Sequence, residues 1–438
     1  MSSARKLSRG SAMALGTVLW FLGMKIILGL VLLKVSTVAL SVEAFSSFSQ
    51  LFLVAGYVNM LSAFGAQNAL VQMTASARDD TNRISQRQGA AIAIWAGTAA
   101  AACFAALIAR SEISLMLIGD GALTAYVVPV VGAALLSGPG QIYCALLTGR
   151  GRSSDSMVVQ GLGLLCGSIA AVALLLRGDA AGAVLAFAGG GIVTSVLAAS
   201  RMSAIGLGFA GTFDNLWLEA KALLRFSLTF VVTASFAPLS LFAVRALYRD
   251  HFGIGALGHL LVASRISDTT TQLVGLVMVQ LFIPGFTRAL SSSDQAVIIR
   301  YYWFLCAGLM GSILGIFCLA PEFFISIALS SKYISAIPEI RLYMIGDVFR
   351  VSSVVMMYAA FSKGWLARFM LIEFAMATAV ALTASALILL NFRTGPFLGY
   401  MLAHITATAV FIMTLIVISI RAKRYSLATA EGSQVRHG

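Results

Sequence analysis

The sequence predicts an all-α integral membrane protein of about twelve transmembrane helices in two six-helix lobes, with both termini cytoplasmic. Three observations predict it. Of 438 residues, 59% are hydrophobic and only 11% are charged, with a mean hydropathy of +0.93; soluble globular chains average about 25% charged residues. The apolar residues gather into stretches of the length a helix needs to cross a bilayer, about 20 residues. The Lys and Arg residues then fall unevenly on the two sides of those stretches. No polar stretch is long enough to fold alone, which argues against an attached ATPase or soluble catalytic domain.

The N-terminal "MSSARKLSRG" is basic and leads into an apolar run from Ser11 to Leu33. That run is longer than a signal-peptide core of about 7–15 residues and carries Lys25, so it reads as the first span. Spans are expected near 11–33, 44–70, 88–109, 122–148, 156–176, 181–200, 222–248, 256–287, 301–320, 342–361, 369–390 and 397–420. With the N-terminus inside, nineteen of the 30 Lys and Arg residues lie in cytoplasmic segments and seven in outer ones; Lys25, Arg245, Arg265 and Arg350 remain within spans. This is the positive-inside asymmetry. It accounts for much of the +13 net charge without nucleic acid as a partner, and it suits an anionic lipid surface. Cys103, Cys144, Cys166, Cys306 and Cys318 are scattered through apolar segments without metal-ligand spacing and read as small apolar fillers.

The longest cytoplasmic connection, roughly Arg201 to Lys221, bisects the chain. The expected organisation is therefore an N-terminal lobe at 1–205, a connection at 206–221, and a C-terminal lobe at 222–438 with a short basic tail. The amphipathic "GTFDNLWLEAKALL" within the connection suits a membrane surface. The halves echo each other weakly: "LLTGRGRSSDSMVV" follows the fourth span and "AAFSKGWLARFMLI" the tenth. Six-plus-six duplication is a common transporter plan, with the site between the halves near the bilayer midplane.

Function is sought in the charges kept inside hydrocarbon, where each costs roughly 3 kcal/mol on insertion scales. The eighth span, "HLLVASRISDTTTQLVGLVMVQLFIPGF", holds Arg265 and Asp268. Lys25 lies on the first span, Arg245 on the seventh, Asp347 and Arg350 on the tenth, and Glu373 on the eleventh. Residues three apart share a helix face, so Arg265/Asp268 and Asp347/Arg350 either face a shared cavity or neutralise themselves. Lys25 and Arg245 have no acidic partner close in sequence, and excess positive charge in a membrane cavity calls for an anionic ligand. The candidate binding residues are Lys25, Arg245, Arg350 and Arg265, helped by the amides Asn59, Asn68 and Gln272. Asp268, Asp347 and Glu373 are the candidates for proton or ion coupling, or for gating, because a carboxyl held away from water can carry a proton near neutral pH. Pro238 and Pro284 are candidate hinges, since an interior proline frees a carbonyl and permits bending. Lys34, at the outer end of the first span, can snorkel to the interface.

Other features are structural. "GLGLLCG" (Gly161–Gly167) lacks dinucleotide-loop spacing, and Gly163 and Gly167 make a small-xxx-small contact. The histidines have no metal-ligand spacing, and His404 reads as packed or interfacial. No Walker loop, nucleophile elbow or zinc signature is present, so no cofactor, no metal and no catalytic set is expected.

Several short stretches, taken in order, resemble a known family. They are Lys25 and Lys34 in "WFLGMKIILGLVLLK", Pro238 followed by Arg245, "ISD" (Ile266–Asp268), "PGFTR" (Pro284–Arg288), "LSSKY" (Leu329–Tyr333), "GDVFR" (Gly346–Arg350) and "RFMLIE" (Arg368–Glu373). In this the chain resembles the Wzx-type O-antigen and enterobacterial-common-antigen flippases, in the polysaccharide transporter branch of the MOP superfamily. Arg265 departs from the pattern, where a small residue is expected. "FGAQNALVQ" keeps an Asn without the usual glycine and lysine. The resemblance implies two lobes around a central, net-positive cavity in the bacterial cytoplasmic membrane. The implied substrate is an undecaprenyl-diphosphate-linked oligosaccharide, carried from the inner to the outer leaflet by alternating access coupled to a proton or ion gradient. The lobes would rock about the 201–221 connection, with Lys25, Arg245 and Arg350 on the diphosphate. A monomer working beside a glycan polymerase and chain-length machinery is expected. Three rivals make different demands. A MATE-like cation or drug antiporter calls for an acidic cavity. A peptidoglycan-precursor flippase calls for helices beyond twelve. A membrane-embedded glycan polymerase or ligase calls for a large outer loop with catalytic groups, whereas the longest outer loop, roughly 321–341, offers only Glu322, Lys332, Glu339 and Arg341.

Overall fold

Apolar stretches of spanning length become helix, and the short polar stretches between them become turns. The structure, a computed structural model, describes residues 2–77, 80–208, 212, 215–278, 282–283, 286, 292–363 and 365–434. The principal helices are α1 Ser2–Ala39, α2 Val42–Leu61, α3 Ala66–Ser76, α4 Thr81–Ile108, α5 Thr124–Leu135, α6 Gly138–Gly149, α7 Ser153–Leu175, α8 Ala180–Met202, α9 Leu216–Val277, α10 Ser292–Leu319, α11 Pro321–Ala328, α12 Ile337–Ser362, α13 Leu366–Leu389 and α14 Gly395–Gln434. Among the described residues, 11 helical segments are long and apolar enough to cross a membrane. One of them, Leu216–Gly275, runs for 60 residues and is interrupted at Gly253, whose φ of 83° and ψ of 168° are non-helical. It therefore supplies two spans, and the expected twelve are reached in a multi-pass, all-helical membrane protein.

Two expected elements differ in detail. The span expected at 44–70 is two helices, α2 and α3, parted at Phe64 (φ 48°) and Gly65 (φ 66°). Gly65 is required twice over. Its backbone is left-handed, and a Cβ there would stand 2.8 Å from the Phe230 ring and 3.1 Å from the Ser227 carbonyl. The outer loop expected at 321–341 is not open loop. It holds the amphipathic α11 and a 3-10 segment, Ser331–Ala336.

The chain divides into two compact units, Met1–Ser235 with Ala328–Ser330, and Phe236–Ile327 with Ser331–Gly438. The division falls inside α9, just before Pro238. Lys34 donates to the carbonyl of Leu329, which ties Leu329 to α1 and gives Lys34 an anchoring contact.

Within the first unit, α7 lies directly on α8 because glycines face each other. A Cβ on Gly167 would meet the Phe187 carbonyl at 2.8 Å and Gly190 Cα at 3.1 Å; this is the close approach expected of small-xxx-small spacing. The connection after α8 is docked rather than loose. The Thr212 N–H donates to the Ser85 carbonyl (3.1 Å), and Gln88 Nε2 to the Gly208 carbonyl (2.7 Å). Arg87 Nε meets Glu219 Oε2 at 3.2 Å while its Nη1 donates to the Met73 carbonyl (2.6 Å). Bending at the connection, where the sequence reading put the pivot, would first have to break this buried pair.

In the second unit, α12 packs against α10, α13 and α14. Fully buried apolar side chains there include Val355, Met310 and Phe411. Pro238 lies within the helical course of α9. Pro284, Gln280 and the Asn68 side chain fall outside the described residues.

Candidate functional site

Four charged span residues of the second unit line one cavity of about 180 Å³. Its wall includes Arg245 and Asp268 from α9, Tyr343 and Arg350 from α12, Glu373 from α13, and Tyr400 and His404 from α14. Helical spacing explains the convergence. Tyr343, Asp347 and Arg350 follow one another at four and three residues along α12, and Tyr400 and His404 at four along α14, so each set lies on one face.

Asp347 anchors the arrangement from behind the wall. It is fully buried, and its Oδ1 accepts hydrogen bonds from Ser267 Oγ (2.7 Å) and Tyr400 OH (2.7 Å). Arg350 Nη1 in turn donates to the Tyr400 hydroxyl oxygen at 3.3 Å. Tyr400 is clamped by ring contacts: it stacks on Tyr343 at 4.0 Å and meets His404 edge-on at 4.5 Å. Gly346 makes this possible, since a Cβ there would stand 2.5 Å from Tyr400 Cδ1. The "GDVFR" motif therefore works as a unit: the glycine admits the tyrosine, the aspartate orients it, and the arginine meets it on the cavity side.

The Asp347/Arg350 pair does not close on itself: the Tyr400 hydroxyl stands between the two side chains. Arg265 is half-buried and does not line the cavity. Arg245 is 5% exposed and has no hydrogen-bond or ion-pair partner among the described residues, yet it faces the cavity. Asp268 and Glu373 likewise line it without a partner of that kind.

Lys25 and Asn59 belong elsewhere. They line a separate cavity of about 440 Å³ within the first unit. Gln272 is half-buried on α9 and lines neither cavity. Sequence reasoning does not find Tyr343 and Tyr400; His404, expected as packed or interfacial, is packed against Tyr400 and also lines the cavity. The four-residue spacing from Tyr343 to Asp347 was the signal available for the first; nothing local marks the other two, because they face α12 only through tertiary packing.

Removing one hydroxyl tests the anchor. In Tyr400→Phe, Asp347 keeps one donor of two, and a buried acceptor left short of a partner costs about 1–3 kcal/mol. The expected result is a lower thermal midpoint for the purified protein, with Gly346→Ala lowering it as well by displacing the same ring. An unchanged midpoint in both would mean that the carboxyl is satisfied in another way.

No family model matches the chain, and no curated protein matches it. Solved structures do. An inward-facing multidrug resistance MATE family transporter of the MOP superfamily matches with a TM-score of 0.74 at 13% identity, over 90% of this chain and 94% of that one. The lipid II flippase MurJ, in an inward closed conformation, matches with a TM-score of 0.72 at 12% identity, over 93% and 90%. A MOP superfamily transporter from Pyrococcus furiosus Vc1, described as having a binding pocket of reverse polarity that suggests a different function, matches with a TM-score of 0.59 at 12% identity, over 92% and 95%. The chain thus has the fold of the MOP-superfamily transporters along nearly its full length.

Proposed function

We propose that this protein is a flippase that moves an undecaprenyl-diphosphate-linked oligosaccharide from the inner to the outer leaflet of the bacterial cytoplasmic membrane by alternating access. The observation that carries the reading is Arg245: a guanidinium 5% exposed, facing a cavity, with no protein partner among the described residues. Asp268 lies on the same wall but makes no direct ion pair with it; a desolvated cation so placed is costly to keep, and a diphosphate would bind it directly in bidentate form. Arg350, on the same wall, adds a second guanidinium. Asp268 and Glu373 in that cavity, with Asp347 behind it, serve proton or ion coupling. Sharing the fold with a lipid II flippase is consistent with this substrate class. For the Pyrococcus furiosus transporter, pocket polarity is what suggests a change of function within the same fold.

The rival reading is a cation or drug antiporter, favoured by the carboxyls of Asp268 and Glu373 in the same cavity. Deletion of the protein separates the two. The flippase reading expects undecaprenyl-linked oligosaccharide to accumulate facing the cytoplasm, with loss of surface glycan. Complementation with Asp268→Asn should give normally folded protein and little flipping. Normal surface glycan after deletion, together with lost efflux of cationic dyes, would establish the antiporter instead.

A further inference from the structure

The larger cavity, inside the first unit, has a chemistry of its own. Its wall carries one charge, the ammonium of Lys25 on α1, and no carboxylate. Around it stand the amides of Asn59, Gln67, Gln141 and Gln160, groups that donate and accept at once. Three of them are held in place. Ser137 Oγ donates to Asn59 Oδ1, and Gln160 Nε2 donates to Ser156 Oγ (3.0 Å). Gln141 Nε2 donates to the Asn59 carbonyl (2.7 Å) and to Ser62 Oγ (2.9 Å). Gln67 and Lys25 have no hydrogen-bond or ion-pair partner among the described residues. Phe21 and Phe187 supply an apolar wall. The volume, about 440 Å³, lies in the range of small-molecule sites, about 300–1,000 Å³.

We infer that this cavity is a subsite for a phosphorylated sugar, with Lys25 on the phosphate and the amides on the sugar hydroxyls. It deepens the flippase reading and rests on it: a phosphate-linked sugar of the transported molecule would be recognised in the first unit. A lone ammonium neutralises phosphate as a point charge. Amides that donate and accept distinguish hydroxyl patterns, because a sugar lacking the matching hydroxyl forgoes those hydrogen bonds. A cationic drug finds no counter-charge here. An apolar lipid tail would leave Gln67 and Lys25 unsatisfied.

Gly56 offers a direct test. It lines the cavity, and a Cβ added there meets nothing within 4 Å, so Gly56→Leu fills the space without displacing backbone. The full-length protein in lipid nanodiscs is titrated with glucose 1-phosphate, N-acetylglucosamine 1-phosphate, free glucose and inorganic phosphate, with binding read by saturation-transfer NMR. At least one sugar phosphate is expected to bind more tightly than inorganic phosphate and free glucose. Gly56→Leu should weaken it about tenfold or more by occupying the space of the sugar, and Gln67→Leu by about tenfold through the loss of one or two polar contacts. Lys25→Gln should reduce the sugar phosphate to the level of the free sugar. If Gly56→Leu fails to fold, Gln67→Leu carries the same test, since Gln67 gives up no hydrogen bond. Sugar phosphates binding no better than inorganic phosphate, or binding unchanged in the folded variants, overturns the subsite. A protein that supports surface glycan yet binds no probe refutes the subsite and leaves the flippase reading standing. Probe binding with the expected variant pattern, but no flipping, does the reverse.

Discussion

Arg245→Met should abolish transport while leaving the thermal stability of the purified protein unchanged or higher. The two halves of that expectation have one cause. Arg245 is buried at a cavity wall and makes no hydrogen bond or ion pair with the described residues. Removing it breaks no hydrogen bond or ion pair among the described residues and takes a charge out of a desolvated site, a change that is often neutral or stabilising. If its partner is a diphosphate, truncation costs about 2–5 kcal/mol of binding, a weakening of about 30-fold or more in the dissociation constant. Arg245→Lys keeps the charge but loses the planar fork, so partial binding and partial flipping are expected. The measurements are binding of lipid-linked oligosaccharide by the purified variants and their thermal midpoints. A destabilised Arg245→Met protein would show that the arginine has a structural partner. Equal binding by wild type and both variants would remove it from the site.

Arg87→Ala is expected to have the largest effect on stability. Arg87 and Glu219 are 5% and 6% exposed, and their side chains meet at 3.2 Å. Arg83, the other cation near Glu219, stands at 3.7 Å with its side chain 57% exposed, so it compensates poorly. Removing one partner of a buried pair strands the other charge and costs about 3–5 kcal/mol. Here the loss should fall on the docking of the connection against α4, seen as a lower unfolding midpoint and faster proteolysis within residues 203–219. The combined change Arg87→Met with Glu219→Leu should recover most of the stability, because apolar replacement of both partners removes the desolvation penalty together with the attraction. A double variant as unstable as Arg87→Ala would show that Arg87 matters through its bond to the Met73 carbonyl instead.

Much of the site was legible because charge inside a membrane span is costly, and so conspicuous. Arg245, Asp268, Asp347, Arg350 and Glu373 all stood out against apolar sequence, and the structure gathers them at one cavity or directly behind it. Their aromatic partners did not stand out. Tyr343 and Tyr400 look like ordinary interfacial aromatics in sequence, and only the stacking of α14 on α12 shows that Tyr400 bridges Asp347 and Arg350. Lys25 was equally conspicuous, but sequence could not assign it to a cavity.

Composition and hydropathy alone establish the class, most of the spanning helices and the charges held within them. Hydrophobic length and backbone hydrogen bonding leave a spanning segment no alternative to helix. The sequence also announced the glycine contact between α7 and α8, through a spacing that reads without any partner in view. Folding in three dimensions sets which charges share a cavity, that Tyr400 stands between Asp347 and Arg350, that the span at 44–70 breaks at Phe64 and Gly65, and that Arg87 pairs with Glu219. Each of those outcomes depends on side chains brought together from distant positions, such as Phe230 against Gly65, Tyr400 beside Gly346 and Glu219 on Arg87. Local sequence carries no record of which distant side chain will fill a given space.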